Sequence, residues 1–291
     1  MSQGQGTTPK SSVSQLCDYL GISRQGYYSH VVRVCEQDVL RTSIVLYTQA
    51  ILKDMPRIGM FKLYLLNHEK FGDKMTIGRD HCFDIFRQNG FVQRKRKKPR
   101  TTDSNHNYFI YPDLLNTSPK LVAHRFGQLC VTDITYVATN SGWAYLALVT
   151  DAASRMIVGY CLYPTLGKEG PFKAFLMAKE FYERQGVSLK GLIHHSDRGS
   201  QYCCNEYVDM LKGLGVQLSM TQTGDPLHNA LAERMNNTIK NGWLFDTEGL
   251  NFDTVRGMVD KAVRLYNTVR PHQGIGMRTP WEEMVRLLPA A

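Results

Sequence analysis

The chain has 291 residues, 43% of them hydrophobic and 21% charged, and carries a formal net charge of +9 at pH 7. That length holds two or three small domains with at least one sizeable core, and the composition is ordinary for a globular protein. The longest unbroken apolar run, Trp143 to Val149, is far short of a bilayer span, and the polar start MSQGQGTTPKSS lacks the apolar centre of a secretory signal. A cytoplasmic protein with no membrane partner is expected. The seven cysteines are odd in number and form no Cys-x-x-Cys pair, which argues against a disulfide framework or a ribbon-type zinc site. His194, His195, Cys203 and Cys204 come as adjacent doublets, and neighbours on a strand point to opposite faces, so they make poor joint ligands.

Charge is unevenly spread. Residues 1–120 carry 18 Lys and Arg against 10 Asp and Glu, whereas residues 121–291 carry 17 against 16. Much of the excess lies in RKRKKPR at 94–100, namely Arg94, Lys95, Arg96, Lys97, Lys98 and Arg100. Such a run suits a polyphosphate partner, because each phosphate contact releases condensed counterions. A solvated linker or a localisation tag is the competing reading, and charge alone leaves the two even.

In chain order, residues 12–30 read as two short helices about Gly21, with Val13, Leu16 and Leu20 on one face and Ser23 as the second N-cap. Helix, glycine turn, helix is a helix-turn-helix pattern shared by many small hairpins, and it puts Arg24 and Gln25 where base edges are read. We place a first segment at 1–35 and a second helical unit at 36–93. The second unit is built from an amphipathic helix at 36–54 and further helices at about 59–70 and 76–89. Residues 94–120 read as a basic, extended linker.

From about residue 125 the hydrophobic period shortens to two. Three β runs follow, separated by turns at Asn140 to Gly142 and at Asp151 to Ser154, so Asp151 is read as a turn former. A helix at about 168–185, the strand KGLIHH, a helix at 200–213 and the strand VQLSM complete a mixed sheet covered on both faces, an α/β domain over 121–291.

Three carboxylates stand out. Asp133 sits inside the first β run, where a charge is expensive unless paired or bound to metal; an edge position facing water is the alternative. Asp197 ends the strand in GLIHHSDRGSQY, where Asp-x-Gly turn chemistry would also account for it. With the first and fourth strands adjacent, both aspartates can meet near one strand edge. Glu233 lies in GDPLHNALAERMNNTIKNGWL, a helix that Asp225 and Pro226 suit as cap and first turn. Leu231, Met235, Ile239 and Trp243 form its apolar stripe, and Asn229, Glu233, Asn237 and Lys240 a polar one. That stripe fits simple exposure, and equally a metal ligand with phosphate contacts beside it.

Thirty-five residues separate Asp197 from Glu233, and Lys240 follows seven further on. This resembles the D,D-35-E signature of retroviral integrases and bacterial insertion-sequence transposases. The words VTDITYV, HHSDRGSQY, GDPLHNALAERMNNTIK and YNTVRPHQGIGMRTPWE resemble the OrfB-type DDE transposases of the IS-three insertion-sequence family, as do LGISRQGYYSH and the segment ending QNGF upstream. The chain departs from the family at His228, usually an aspartate, and at Gly242, often an acid.

The resemblance implies an RNase H-like fold with a mixed five-stranded sheet, preceded by small all-helical DNA-binding units. It implies metal-dependent DNA cleavage and strand transfer, with Asp133, Asp197 and Glu233 holding two Mg²⁺ ions for which Mn²⁺ can substitute, and with Asp133 bridging. Lys240 and Asn237 are expected at DNA near the cut. His195 shares a face with Asp197 and either helps position water or phosphate or simply packs. Tyr266, Asn267, Arg270, Pro271 and His272 are expected to fix the last helix against the core. Implied partners are double-stranded transposon ends and target DNA, further copies of the chain on that DNA, and a helix-turn-helix, leucine-zipper protein from an upstream frame; the implied location is the bacterial nucleoid. A related nuclease without strand joining and a non-catalytic DNA-binding regulator are the rival functions.

Replacing four cations of the basic run with Ala is expected to weaken binding to all DNA sequences alike. The slope of log affinity against log salt should flatten by about 0.9 per lost contact; an unchanged slope would make the run a solvated linker.

Overall fold

The computed structural model describes residues 12–92, 108–115, 121–222 and 229–288. The basic run at 94–100 lies outside them. The chain divides into two compact units, residues 1–53 with 59–93, and residues 54–58 with 94–291.

The first unit is helical: α1 (Val13–Leu20), α2 (Arg24–Asp54), α3 (Met60–Phe71) and α4 (Arg79–Gln88). A reciprocal capping box between Ser12 and Gln15 starts α1, and Gly21 ends it in the left-handed conformation. Ser23 Oγ accepts from the Gly26 N–H at 3.0 Å, the expected N-cap of α2. The break expected near residues 30–36 is not there. From Tyr27 to Met55 the chain has no glycine or proline, so nothing interrupts α2, and the boundary drawn at 35/36 falls inside a 31-residue helix. Ile44 and Ile51 of α2, Leu63 and Leu66 of α3, and Ile85 and Phe86 of α4 form the buried interior.

The second unit is an α/β domain around one five-stranded sheet. Its strands are β1 (Leu129–Thr139), β2 (Gly142–Asp151), β3 (Ile157–Tyr163), β4 (Ile193–Ser196) and β5 (Gln217–Met220), in the order β3-β2-β1-β4-β5. The first three form an antiparallel meander, while β4 and β5 run parallel to β1. Parallel neighbours need crossovers. These are α5 (Glu169–Arg184) and the pair α6 (Ser200–Cys203) and α7 (Asn205–Gly213). The single helix expected at 200–213 is thus two, because Cys204 between them is extended, with ψ 142°.

On one face, Cys130, Ala147, Val149 and Val158 pack with Ala174, Phe175, Ala178 and Tyr182 of α5 and with Tyr202 and Tyr207. Gly159 permits that approach, since a Cβ there would fall 2.0 Å from the Ala174 carbonyl oxygen. The other face carries α8 (Ala230–Gly242), against which α9 (Phe252–Thr268) packs; α10 (Pro280–Leu287) follows, with Met284 buried in the same cluster as α5. Leu129 and Val131 meet Ala232 there. Asn229 is the N-cap residue of α8, four positions later than the start read from Asp225 and Pro226, which lie outside the described residues. Asn267 clamps α9 to β3: its Oδ1 accepts from the Ile157 N–H at 3.0 Å and its Nδ2 donates to the Ile157 carbonyl at 2.9 Å. Among the described residues no helix is long and apolar enough to cross a membrane.

Asp151 does more than shape its turn. Fully buried, its Oδ1 accepts from the Ser154 N–H (2.8 Å) and hydroxyl (2.7 Å), and its Oδ2 from the Gly127 N–H (2.9 Å) and the Tyr182 hydroxyl (3.2 Å). One carboxylate thereby ties the entry to β1, the β2–β3 turn and α5. An amide turns one acceptor into a donor facing donors. Asp151→Asn is therefore expected to cost about 1–3 kcal/mol, read as a lowered urea midpoint at unchanged m; a loss under 0.5 kcal/mol would reduce Asp151 to a turn former.

Candidate active site around Asp133

Two strand neighbours and one helix converge on Asp133. In the parallel pairing of β1 and β4, Leu129 lies beside Ile193 and Val131 beside His195, and two residues further along each strand are Asp133 and Asp197. Residues in register share a face, so both carboxylates lie on the side covered by α8. Glu233 sits in the first turn of α8. Asn236, one turn on, donates from Nδ2 to Asp133 Oδ2 at 2.8 Å, while the Ile134 N–H donates to Oδ1 at 2.8 Å. Burial, then the charge of Asp197 and more weakly that of Glu233, push the Asp133 carboxyl up to about 8 against those two donors. All three acids are half-buried. Asp197 closes a local turn by accepting at Oδ1 from the Gly199 N–H at 2.9 Å, and a Cβ at Gly199 would stand 3.0 Å from that same oxygen.

Among the described residues no group of three His, Cys, Asp or Glu side chains stands ready-made as a metal-ligand set. The surroundings nonetheless fit a divalent cation. The Asn229 and Asn236 amide oxygens are buried without a hydrogen-bond partner. Both residues face the Asp133 segment: Asn236 Nδ2 reaches Asp133, and Asn229 Nδ2 donates to the Thr132 carbonyl at 3.1 Å. Burial and then the charge of Asp133 raise the Tyr202 phenol well above its ordinary value. Orphaned polar atoms gathered around like-charged carboxylates are what an absent ion and its water shell would satisfy.

The other residues picked from sequence divide. Asn237 and Lys240 are half-buried, Lys240 two turns beyond Glu233 on the same face. The helix phase brings Asn236, not Asn237, onto Asp133, and it turns Asn229 from the polar stripe inward against β1. Neither contact was anticipated, and an Asn three residues after the acid was the available signal. His195 is fully buried and shares a 2.9 Å hydrogen bond from Nδ1 with the Ser219 hydroxyl, whose oxygen also accepts from the Leu114 N–H. His194 faces the other side of β4, where Tyr207 OH lies 2.9 Å from its Nε2. Arg24 and Gln25 are exposed in the first turn of α2, in the other unit.

Two models described as integrase core domain match the chain, over residues 123–226 and 214–280. A 31 kDa protein of insertion element IS600 from Shigella sonnei is 32% identical over 267 residues, 91% of this chain and 96% of its own. The transposase for insertion sequence element IS904 of Lactococcus lactis subsp. lactis is 32% identical over 173 residues, 58% of this chain and 65% of its own. Among solved structures, the HTLV-2 integrase catalytic core domain in complex with magnesium aligns over 55% of this chain and 97% of its own, at 18% identity and a TM-score of 0.43.

His194 gives the site's scaffold an acid limit. Burial first, and His195 beside it, lower its pKa from 6.5 to about 3. On acidification the unfolded chain takes up this proton before the native one, so stability present above pH 6.5 is lost as pH falls towards 3. The contribution is up to about 1.4 kcal/mol per pH unit. His194→Gln should flatten the stability–pH curve by that one proton; an equal slope in both proteins would show that His194 titrates normally.

Proposed function

Since the chain belongs to the insertion-sequence transposases of the IS-three family, DDE-type phosphoryl-transfer enzymes with an integrase core, we propose that Asp133, Asp197 and Glu233 are its catalytic residues. The observation that carries this is the convergence of three carboxylates from β1, the end of β4 and the first turn of α8. Two divalent ions, Mg²⁺ with Mn²⁺ as a substitute, supply activation of the attacking hydroxyl and stabilisation of the leaving oxygen when bound. Asp133, pressed by both other acids, is the shared ligand, and Asp197 and Glu233 each complete one side. Asn236 is a positioning residue, since its amide fixes the rotation of the Asp133 carboxylate. Asn229 holds the β1 backbone at Thr132 where β4 no longer pairs with it.

Lys240 and Asn237 then contact DNA along the same helix, the basic run grips phosphates without regard to sequence, and Arg24 with Gln25 reads base edges. Transposon ends and target are the substrates, and the chain acts as a homo-oligomer on them, with an upstream-frame helix-turn-helix protein as a further partner. His195, held by Ser219, keeps β4 in place beside Asp197 rather than touching substrate.

Asp133→Asn, Asp197→Asn and Glu233→Gln should each abolish cleavage and the joining of a pre-cut end in Mg²⁺, with fold and DNA affinity kept. Asp253→Asn, an exposed acid on α9, should match the parent. Asn236→Ala should raise the Mg²⁺ needed for half-maximal activity by about 10–100-fold. Ca²⁺ should support binding without turnover. A triad variant that joins at the parental rate is not a ligand, and a parent that cuts but never joins is the nuclease of the rival reading.

A further inference from the structure

At the start of α8 the fold builds a basic cleft. It has a volume of about 230 Å³ and is lined by Arg155, Ala230, Leu231, Arg234, His272 and Gly274. None of the six is acidic. Among the described residues neither the Arg155 nor the Arg234 guanidinium pairs with a carboxylate. Burial lowers the Arg155 pKa, and repulsion from Arg234 lowers it further, against the raising charges of Tyr266 and Asp151. Asp151 gives no direct partner, since both its oxygens are filled by four donors. A half-buried Arg155 and an exposed Arg234, with no carboxylate in direct contact with either among the described residues, leave donors free to take an anion between them.

The backbone is also bent to present Arg155. Its φ of 64° is left-handed, a conformation costing a residue with a side chain about 1–3 kcal/mol. Two bonds hold it there: the Arg155 N–H donates to the Asp151 carbonyl at 2.9 Å, and the Tyr266 hydroxyl donates to the Arg155 carbonyl at 2.9 Å. The segment YNTVRPH thus fixes an arginine as well as a helix end. Across the cleft, a Cβ on Gly274 would come within 3.2 Å of His272 Cε1 and 3.9 Å of Arg155 Nε, so a bare backbone keeps the mouth clear.

We propose that this cleft binds a DNA backbone phosphate, held jointly by Arg155 and Arg234 with the first-turn amides of α8 behind it. Arg234 directly follows Glu233 on α8, so the cleft and the proposed catalytic acids share one helix, and the phosphate held is one of the DNA bound along it. This rests on the reading of Asp133, Asp197 and Glu233 as the catalytic acids.

The test uses the full chain with a duplex carrying an end of its own insertion sequence, in Ca²⁺ so that binding is read without turnover. Arg155→Asn removes the charge with a residue that tolerates left-handed backbone, and Arg234→Gln changes an exposed helix position that leaves folding intact. Each is expected to reduce the log–log salt slope by about 0.9, and the double variant by no more than either single one, because both arginines hold one phosphate. Scanning single neutral methylphosphonates along each strand should reveal one position that weakens the parent several-fold and has no effect in Arg234→Gln. Parental salt slopes in all three variants would overturn the proposal, as would a methylphosphonate pattern identical in parent and Arg234→Gln. Inorganic phosphate that raises the Tm of the parent but not of the double variant, with DNA binding equal in the two, would make the cleft a small-anion site and overturn it as well. Unaltered binding in these variants leaves the acids untouched, and triad variants that still cut leave the salt slopes standing, so the two readings fail separately.

Discussion

A carboxylate placed in the middle of a buried central strand is the constraint from which the site follows. Asp133 cannot be relaxed by moving to an edge, because β1 has β2 on one side and β4 on the other. Burial and the neighbouring charge of Asp197 work against its ionised form, and two donors, Ile134 N–H and Asn236, work for it. The balance raises the carboxyl, and positive charge beside it would favour the ionised form. The short length of β4 matters just as much. It ends at Ser196 while β1 continues to Thr139, so the backbone of β1 beyond that point loses its parallel partner. Asn229, at the start of α8, takes up the Thr132 carbonyl there.

The half-buried acid of β1 and the buried acid of β2 illustrate opposite solutions to one problem. Asp151 is satisfied internally by four donors drawn from three segments, and it acts as a structural tie. Asp133 receives two donors, two acidic neighbours and, close by on α8, two amide oxygens without a partner. Burial alone does not separate the two; the number of donors each carboxylate has been given does.

Much of this was legible in the sequence. The shift to a two-residue period at 125, the glycine-marked turns and the placing of Asp133 inside a strand were all readable, because strand periodicity and turn chemistry are local. Helix phase was not. Asn236 and Asn237 are chemically identical and differ by 100° around α8, and which of them meets β1 depends on how the helix lies on the sheet. The long-range donors to Asp151, Gly127 and Tyr182, come from 24 and 31 residues away, so a turn was all that the local pattern of Asp151 to Ser154 could reveal. The continuity of α2 was readable from the absence of glycine and proline after Gly26 and was obscured by the helix-turn-helix pattern at its start.

Gly159 carries a mechanical consequence. With the carbonyl of Ala174 where a side chain would begin, α5 and β3 are seated against each other with no clearance, so sliding or tilting between them meets hard repulsion at once. The opposite face of the sheet has half-buried acids and unsatisfied polar atoms around a side-chain clamp from α8. The two faces of the sheet are therefore joined differently: α5 meets β3 backbone to backbone, whereas α8 meets β1 through side chains.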